Sequence, residues 1–175
     1  MKFEVTKLSA ANYLKIADGE TVRGVFAGEP HKFYCHWKDN RSTECPGRNI
    51  CAECISGLKA GFRFEINFII KENGTYSAKI WEQGWRTFEA LMGFNEGGYP
   101  LESHQMKITR TGSGKNTAYN IMPIPDGKLN DKQQKALSEV KLNEFETTSE
   151  KVDKAHEKVV KNSSFEPVEE ETIPF

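Results

Sequence analysis

The sequence predicts a mainly β protein. Its expected form is a five-stranded barrel with a long loop between the first and second strands and one short helix between the third and fourth. A flexible, partly helical tail follows. Three observations lead there. Phe62–Lys71 alternates strictly, with Phe62, Phe64, Ile66, Phe68 and Ile70 on one face and Arg63, Glu65, Asn67, Ile69 and Lys71 on the other, the pattern of a half-buried strand. Asn73-Gly74 supplies the positive φ angles of a two-residue hairpin turn. After Pro125 the chain turns rich in Lys and Glu and poor in large apolar side chains, so the core is expected to end there.

The elements follow in order. Residues 7–16 read as a short helix or an arm. Thr21–Ala27 and Lys32–Lys38 are rich in Val, Phe, Tyr and Trp, and Gly28-Glu29-Pro30 bends the chain between them, so both belong to one long, interrupted first strand. Phe62–Lys71 is the second strand, and Thr75–Glu82 is the third, returning across the Asn73-Gly74 turn. Trp85, Phe88, Leu91 and Met92 share one helical face, which predicts an amphipathic helix over residues 85–94, closed by Gly93 and Gly97-Gly98. Met106–Thr111 and Thr117–Pro123 form a last hairpin across Gly112-Ser113-Gly114-Lys115. Five strands with a helix between the third and fourth is the order of an OB-fold barrel; a plain α+β sheet is the other arrangement with that order. Residues 1–125 are then one domain, 126–161 a partly helical or flexible linker, and 162–175 a disordered acidic tail.

Charge follows the same division. Residues 1–125 hold 16 Lys and Arg against 13 Asp and Glu, and residues 126–175 hold 8 against 12, so a net charge of -1 hides a mildly basic body and an acidic end. No apolar run approaches the roughly 20 residues a membrane helix needs. Lys2, Glu4 and Lys7 interrupt any secretory apolar region. An intracellular setting is expected, where clustered cysteines hold metal more often than they form disulfides.

All four cysteines lie close together, Cys35-x9-Cys45-x5-Cys51-x2-Cys54. A C-x2-C pair turns two thiolates toward one ion, and zinc takes four ligands tetrahedrally. Residues 38–61 carry few large apolar side chains, so a metal is the expected source of their order. The reading is zinc on Cys35, Cys45, Cys51 and Cys54, with His31 or His36 in place of one cysteine as the alternative. A catalytic zinc is not expected, because the histidines show neither an H-x-E nor an HExxH pattern. Glu53 beside Cys54 is the sole candidate base, and nothing else suggests an enzyme.

Aromatic and basic residues interleave on the predicted strands. Lys32, Tyr34 and Lys38 share one face of the first strand; Phe33, Cys35 and Trp37 share the other. If Ala78 and Ile80 face inward, Lys79 and Trp81 face out together. Phe64, Phe68, Phe88 and Trp85 are assigned to the core. A groove that tracks a single nucleic-acid strand needs cations for phosphates and flat rings for bases. Lys32, Tyr34, Trp37, Arg63, Lys79, Trp81, Lys107 and Tyr119 are the candidates, although a single bulge exchanges the faces.

Two resemblances converge on these features. The end of the chain, Glu169-Glu170-Glu171-Thr172-Ile173-Pro174-Phe175, resembles the acidic C-terminal tip of bacterial single-stranded DNA-binding proteins, with Thr172 where that tip carries Asp. The stretch from Lys32 to Pro125 resembles the zinc-containing OB-fold single-stranded DNA-binding proteins of tailed phages. The match rests on Cys35-x9-Cys45, Cys51-x2-Cys54-Ile55-Ser56, Lys79-Ile80-Trp81 to Met92, and the hairpin Met106–Pro123. That family uses three cysteines and a histidine where this chain has four cysteines. The resemblance implies a non-catalytic, sequence-independent single-stranded DNA-binding protein of phage replication, recombination and repair, working in the bacterial host cytoplasm. It also implies that Glu169, Glu170, Glu171, Ile173, Pro174 and Phe175 recruit host replication and repair proteins. An RNA-binding zinc OB-fold module is the alternative.

Overall fold

The computed structural model describes residues 12–39 and 41–145. Six strands make one antiparallel sheet: β1 (Thr21–Lys38), β2 (Arg41–Glu44), β3 (Gly61–Glu72), β4 (Thr75–Gly84), β5 (His104–Thr111) and β6 (Ala118–Lys128). The α-helices among the described residues are α1 (Ala52–Ile55), α2 (Trp85–Glu96) and α3 (Asp131–Ser138). The hydrogen-bonded order is β4-β3-β1-β5-β6, with β2 paired to β1.

β1 organises the sheet because it is long enough to serve three partners. Its first residues pair with β5, from Thr21↔Thr109 to Gly24↔Met106. Its middle pairs with β3, from Gly24↔Ile70 to Cys35↔Gly61. Its end pairs with β2, from Cys35↔Glu44 to Lys38↔Arg41. The Gly28-Glu29-Pro30 bend is a shift of register between Ala27 and His31 within one continuous strand. Pro30 lacks a donor, so it fits a bulge and not a regular ladder. Gly24 is the pivot between β5 and β3. A Cβ there would collide with the Ile69 carbonyl oxygen and lie 2.8 Å from the Phe68 ring.

The predicted alternation of β3 holds: Phe64, Ile66, Phe68 and Ile70 enter the main core with Phe26, Trp81, Leu91, Met106, Ile108 and Ile121. Asn73 and Gly74, at φ 50° and 84°, make the β3–β4 turn as their sequence requires. Helix α2 lies between β4 and β5 in the chain and seats Phe88 against Phe62 and Phe64, ring centroids 5.5 and 5.4 Å away. At the ends of the strand path, Trp81 of β4 meets Tyr119 of β6 edge to face at 5.8 Å. Among the described residues no hydrogen-bond ladder joins those two strands.

The expected domain end at residue 125 falls inside β6, and the compact unit extends to Phe145. Asn130 and Gln133 exchange side-chain and backbone hydrogen bonds in a capping box that starts α3. The chain then crosses the outer face of the sheet. Asn143 N–H donates to Asn67 Oδ1 at 2.9 Å, Asn67 Nδ2 donates to the Asn143 carbonyl at 3.1 Å, and Asn143 Nδ2 donates to the Ala78 carbonyl at 3.2 Å. The Phe145 ring stacks on His31 at 5.8 Å. Tyr13, which bridges to Ile80, also lies against this side, its hydroxyl donating to Glu65 Oε1 at 2.7 Å, and Val25, Ile69 and Ile80, on the face opposite the main core, are buried too. The arm before residue 12 and everything from residue 146 lie outside the described residues.

Candidate metal centre

Strand alternation decides which residues meet in the cysteine loop. In β1, Cys35 and His36 point to opposite faces. β2 folds back so that His36 pairs with Thr43, and Cys45 N–H donates to the Tyr34 carbonyl at 2.8 Å. This register puts Cys45 on the face that carries His36. The remaining two thiols come from a short turn: Cys51 is the N-cap of α1, and Ile55 N–H donates to its carbonyl at 3.0 Å. One helical turn places Cys51 and Cys54 on the same side.

The result is a cluster of His36, Cys45, Cys51 and Cys54, whose donor atoms all lie within 4.8 Å of one another. His36 Nε2 is 3.3 Å from the Sγ atoms of both Cys51 and Cys54, and the Cys45 and Cys54 sulfurs are 3.6 Å apart. Tetrahedral zinc, with Zn–S of about 2.3 Å and Zn–N of about 2.0–2.1 Å, holds its donors roughly 3.6–3.8 Å apart, so the four donors fit one ion. Bonded sulfurs would be about 2.05 Å apart, so the thiols are not oxidised to a disulfide. The four-cysteine expectation is corrected here: Cys35 is outside the cluster and His36 takes its place. Cys35 is buried on the other side of the strand.

The thiols are electrostatically coupled. Cys45 is drawn down to about 7, first by a hydrogen bond from the Gly47 backbone and then by His36, Cys54 and Cys51. Cys54 is pushed up to about 11, first by desolvation and then by Cys45 and Cys51, because packed thiolates repel one another. A bound cation would remove that repulsion. Glu53 Oε2 lies 3.4 Å from Cys51 Sγ, and its carboxyl is held below its ordinary range, first by its own backbone N–H and then by Cys51. His36 Nδ1 is buried with no hydrogen-bond partner.

On the face opposite His36, a groove of about 400 Å³ is lined by Cys35, Trp37, Lys59, Gly61, Phe62 and Arg63. Trp37 is 64% exposed there. Arg63 Nε lies 3.4 Å from Glu82 Oε1. Burial raises the Glu82 carboxyl, Arg63 opposes that shift, and Glu65 adds to it.

The groove gathers only two of the eight predicted nucleic-acid contacts, Trp37 and Arg63. Lys32 and Tyr34 lie on the other face, with Lys32 Nζ 5.8 Å from the centre of the Phe88 ring and Tyr34 exposed. Lys79 Nζ is 3.6 Å from Glu72 Oε2. Trp81 is corrected from an outward position to the core: it is 2% exposed, because β4 pairs it with Ile66. Tyr119 is half-buried on Trp81, and Lys107 lies across the sheet between Arg23 and Met122. Trp85, assigned to the core, is instead 51% exposed. Lys59 was not anticipated, since nothing in Leu58-Lys59-Ala60 marks it. Glu169, Glu170, Glu171, Ile173, Pro174 and Phe175 lie outside the described residues.

Among the described residues, no helix is long and apolar enough to cross a membrane. Comparison with protein families, curated proteins and solved structures returns no match to this chain.

Proposed function

We propose that the chain is a sequence-independent single-stranded DNA-binding protein, built on an OB-type barrel with a loop ordered by zinc. The observation that carries this reading is the groove, where the exposed Trp37 ring sits with Lys59 and Arg63. An exposed indole offers a stacking surface to any base, and two cations neutralise backbone phosphates. Single strands expose base faces that a duplex hides, so this chemistry favours unpaired nucleic acid. The strand path, the position of α2 and the Trp81–Tyr119 contact support the OB-type barrel.

Three thiols and one imidazole suit zinc. His36, Cys45, Cys51 and Cys54 would hold it, and the ion would supply the charge that keeps three sulfurs together. The resemblance to phage single-stranded DNA-binding proteins supports work in phage DNA replication, recombination and repair inside a bacterial host. The acidic, apolar C-terminal tip supports recruitment of host DNA-maintenance proteins.

The test is fluorescence anisotropy of labelled dT12, with rU12 and a 12-base-pair duplex as competitors and sodium chloride as a variable. The expected outcome is preferential dT12 binding, with each neutralised phosphate contributing about -0.7 to the log–log salt slope. Trp37→Ala weakens binding by about 1–3 kcal/mol. Preferential competition by rU12 would replace DNA with RNA. Absence of dT12 and rU12 binding, or unchanged affinity in a folded Trp37→Ala protein, defeats the groove assignment.

A further inference from the structure

Outside the groove, Tyr34 is 56% and Trp85 51% exposed, both more than Tyr99 at 39%. Burying exposed aromatic area is favourable. Tyr34 and Trp85 are not scattered. Phe62 touches both, edge to face, with its centroid 5.8 Å from Tyr34 and 5.1 Å from Trp85. Phe62 fixes their spacing, and α2 fixes Trp85 through Phe88, whose centroid is 5.8 Å away.

The charges around this pair select its occupant. Lys32 Nζ lies over Phe88, 5.8 Å from its centroid, and Arg86 is exposed beside Trp85 in the first turn of α2. That turn carries no acidic residue; the nearest acidic position on α2 is Glu89. Two rings flanked by two cations fit a base and its phosphates better than an apolar peptide face. The platform is also continuous with the groove, because Phe62 lines the groove as well.

We infer that Tyr34 and Trp85 form a second base-stacking site, which takes further nucleotides of the strand held at Trp37. This rests on the proposed single-strand binding. Strand alternation separates the two sites, with Trp37 on one face of β1 and Tyr34 on the other. Phe62 is the residue common to both.

The experiment uses the full-length, metal-loaded Trp37→Phe protein. Its remaining tryptophans are Trp81, buried at 2% exposure, and Trp85. Labelled dT12 anisotropy establishes binding independently. Stacking predicts that saturating dT12 quenches Trp85 emission. In the otherwise native protein, Trp85→Ala and Tyr34→Leu should each weaken dT12 binding about 5- to 150-fold, with metal content and circular dichroism unchanged. Trp85→Phe, which retains a ring, should lose less affinity than Trp85→Ala. Bound dT12 with unquenched Trp85 overturns the second site and leaves the groove standing. Absence of dT12 binding in the native protein overturns both. If Trp85→Ala misfolds, Tyr34→Leu and the quenching measurement still decide.

Discussion

His36 and Cys35 are neighbours with opposite fates. Three thiols and one imidazole form the cluster, while the fourth thiol is turned away by strand alternation. Cys35→Ser should therefore retain one metal per chain, whereas His36→Ala should lose metal affinity; elemental analysis after dialysis against a weak chelator separates them. Equal metal loss from both would reinstate Cys35. Proton linkage gives a second check. In the metal-free protein Cys54, raised to about 11, holds its proton at neutral pH, and Cys45, lowered to about 7, is half ionised at that pH. Metal binding needs three thiolates, so uptake near pH 7 displaces the Cys54 proton, part of the Cys45 proton and any proton that Cys51 carries. Affinity should rise with pH, by about tenfold per unit for each proton displaced, and more steeply below 7 than above it. Calorimetry in buffers of different ionisation heat measures the proton count. A pH-independent affinity from 6 to 8 would show that thiols are not the donors.

The elements show how far alternation carries an argument. It assigned β3 correctly because only one face of that pattern is uniformly apolar. It misassigned β4 because that strand is buried on both faces, with Ile80 at 0% and Trp81 at 2% exposure, so choosing Ile80 as inward forced Trp81 outward. The neighbours of β4 that the pattern could not show are distant in sequence: Tyr13, which bridges to Ile80, and Asn143, which donates to the Ala78 carbonyl. The same limit left His36 as an alternative only: the sequence separates Cys35 and His36 onto two faces, but the register of β2 chooses between them. That four-residue strand, Arg41–Glu44, has no hydrophobic pattern to announce it. Lone side chains that meet partners far along the chain were equally illegible, Asn67 with Asn143 above all. That pair makes a specific expectation. Asn67 is 3% exposed and its side chain pairs with the Asn143 backbone N–H and carbonyl, so Asn67→Ala leaves both of those backbone groups without these partners. The loss should be about 1–3 kcal/mol in urea denaturation, with Val140→Ala, nearby on the same segment, as a control. A loss below about 0.5 kcal/mol would mean that water replaces the Asn143 bonds.

At the scale of the whole molecule, the metal loop and the sheet have separate sources of order. The main core draws on Ile16, β1, β3, β4, α2, Leu101, β5 and β6, and takes no buried residue from 39–60. Within that loop the one fully buried side chain among the described residues is Cys51, while Ile50 and Ile55 are 69% and 72% exposed. The loop thus has little apolar burial to replace a lost ion. Removing metal with a strong chelator should open residues 41–58 and leave the sheet folded. Hydrogen exchange would then show protection lost in β2 and α1 but kept at Phe64–Ile70 of β3, where backbone pairs sit over the core. Single-strand binding should fall at the same time, because Lys59 is carried by the loop and Trp37 by the end of β1 that β2 pairs. Trp37→Ala should lose less affinity on chelation than the native protein does, since part of what the metal holds in place is already gone. Cooperative unfolding of β3 on chelation would mean that the metal supports the core, and an unchanged loop would mean that residues 41–58 are ordered by contacts other than the ion.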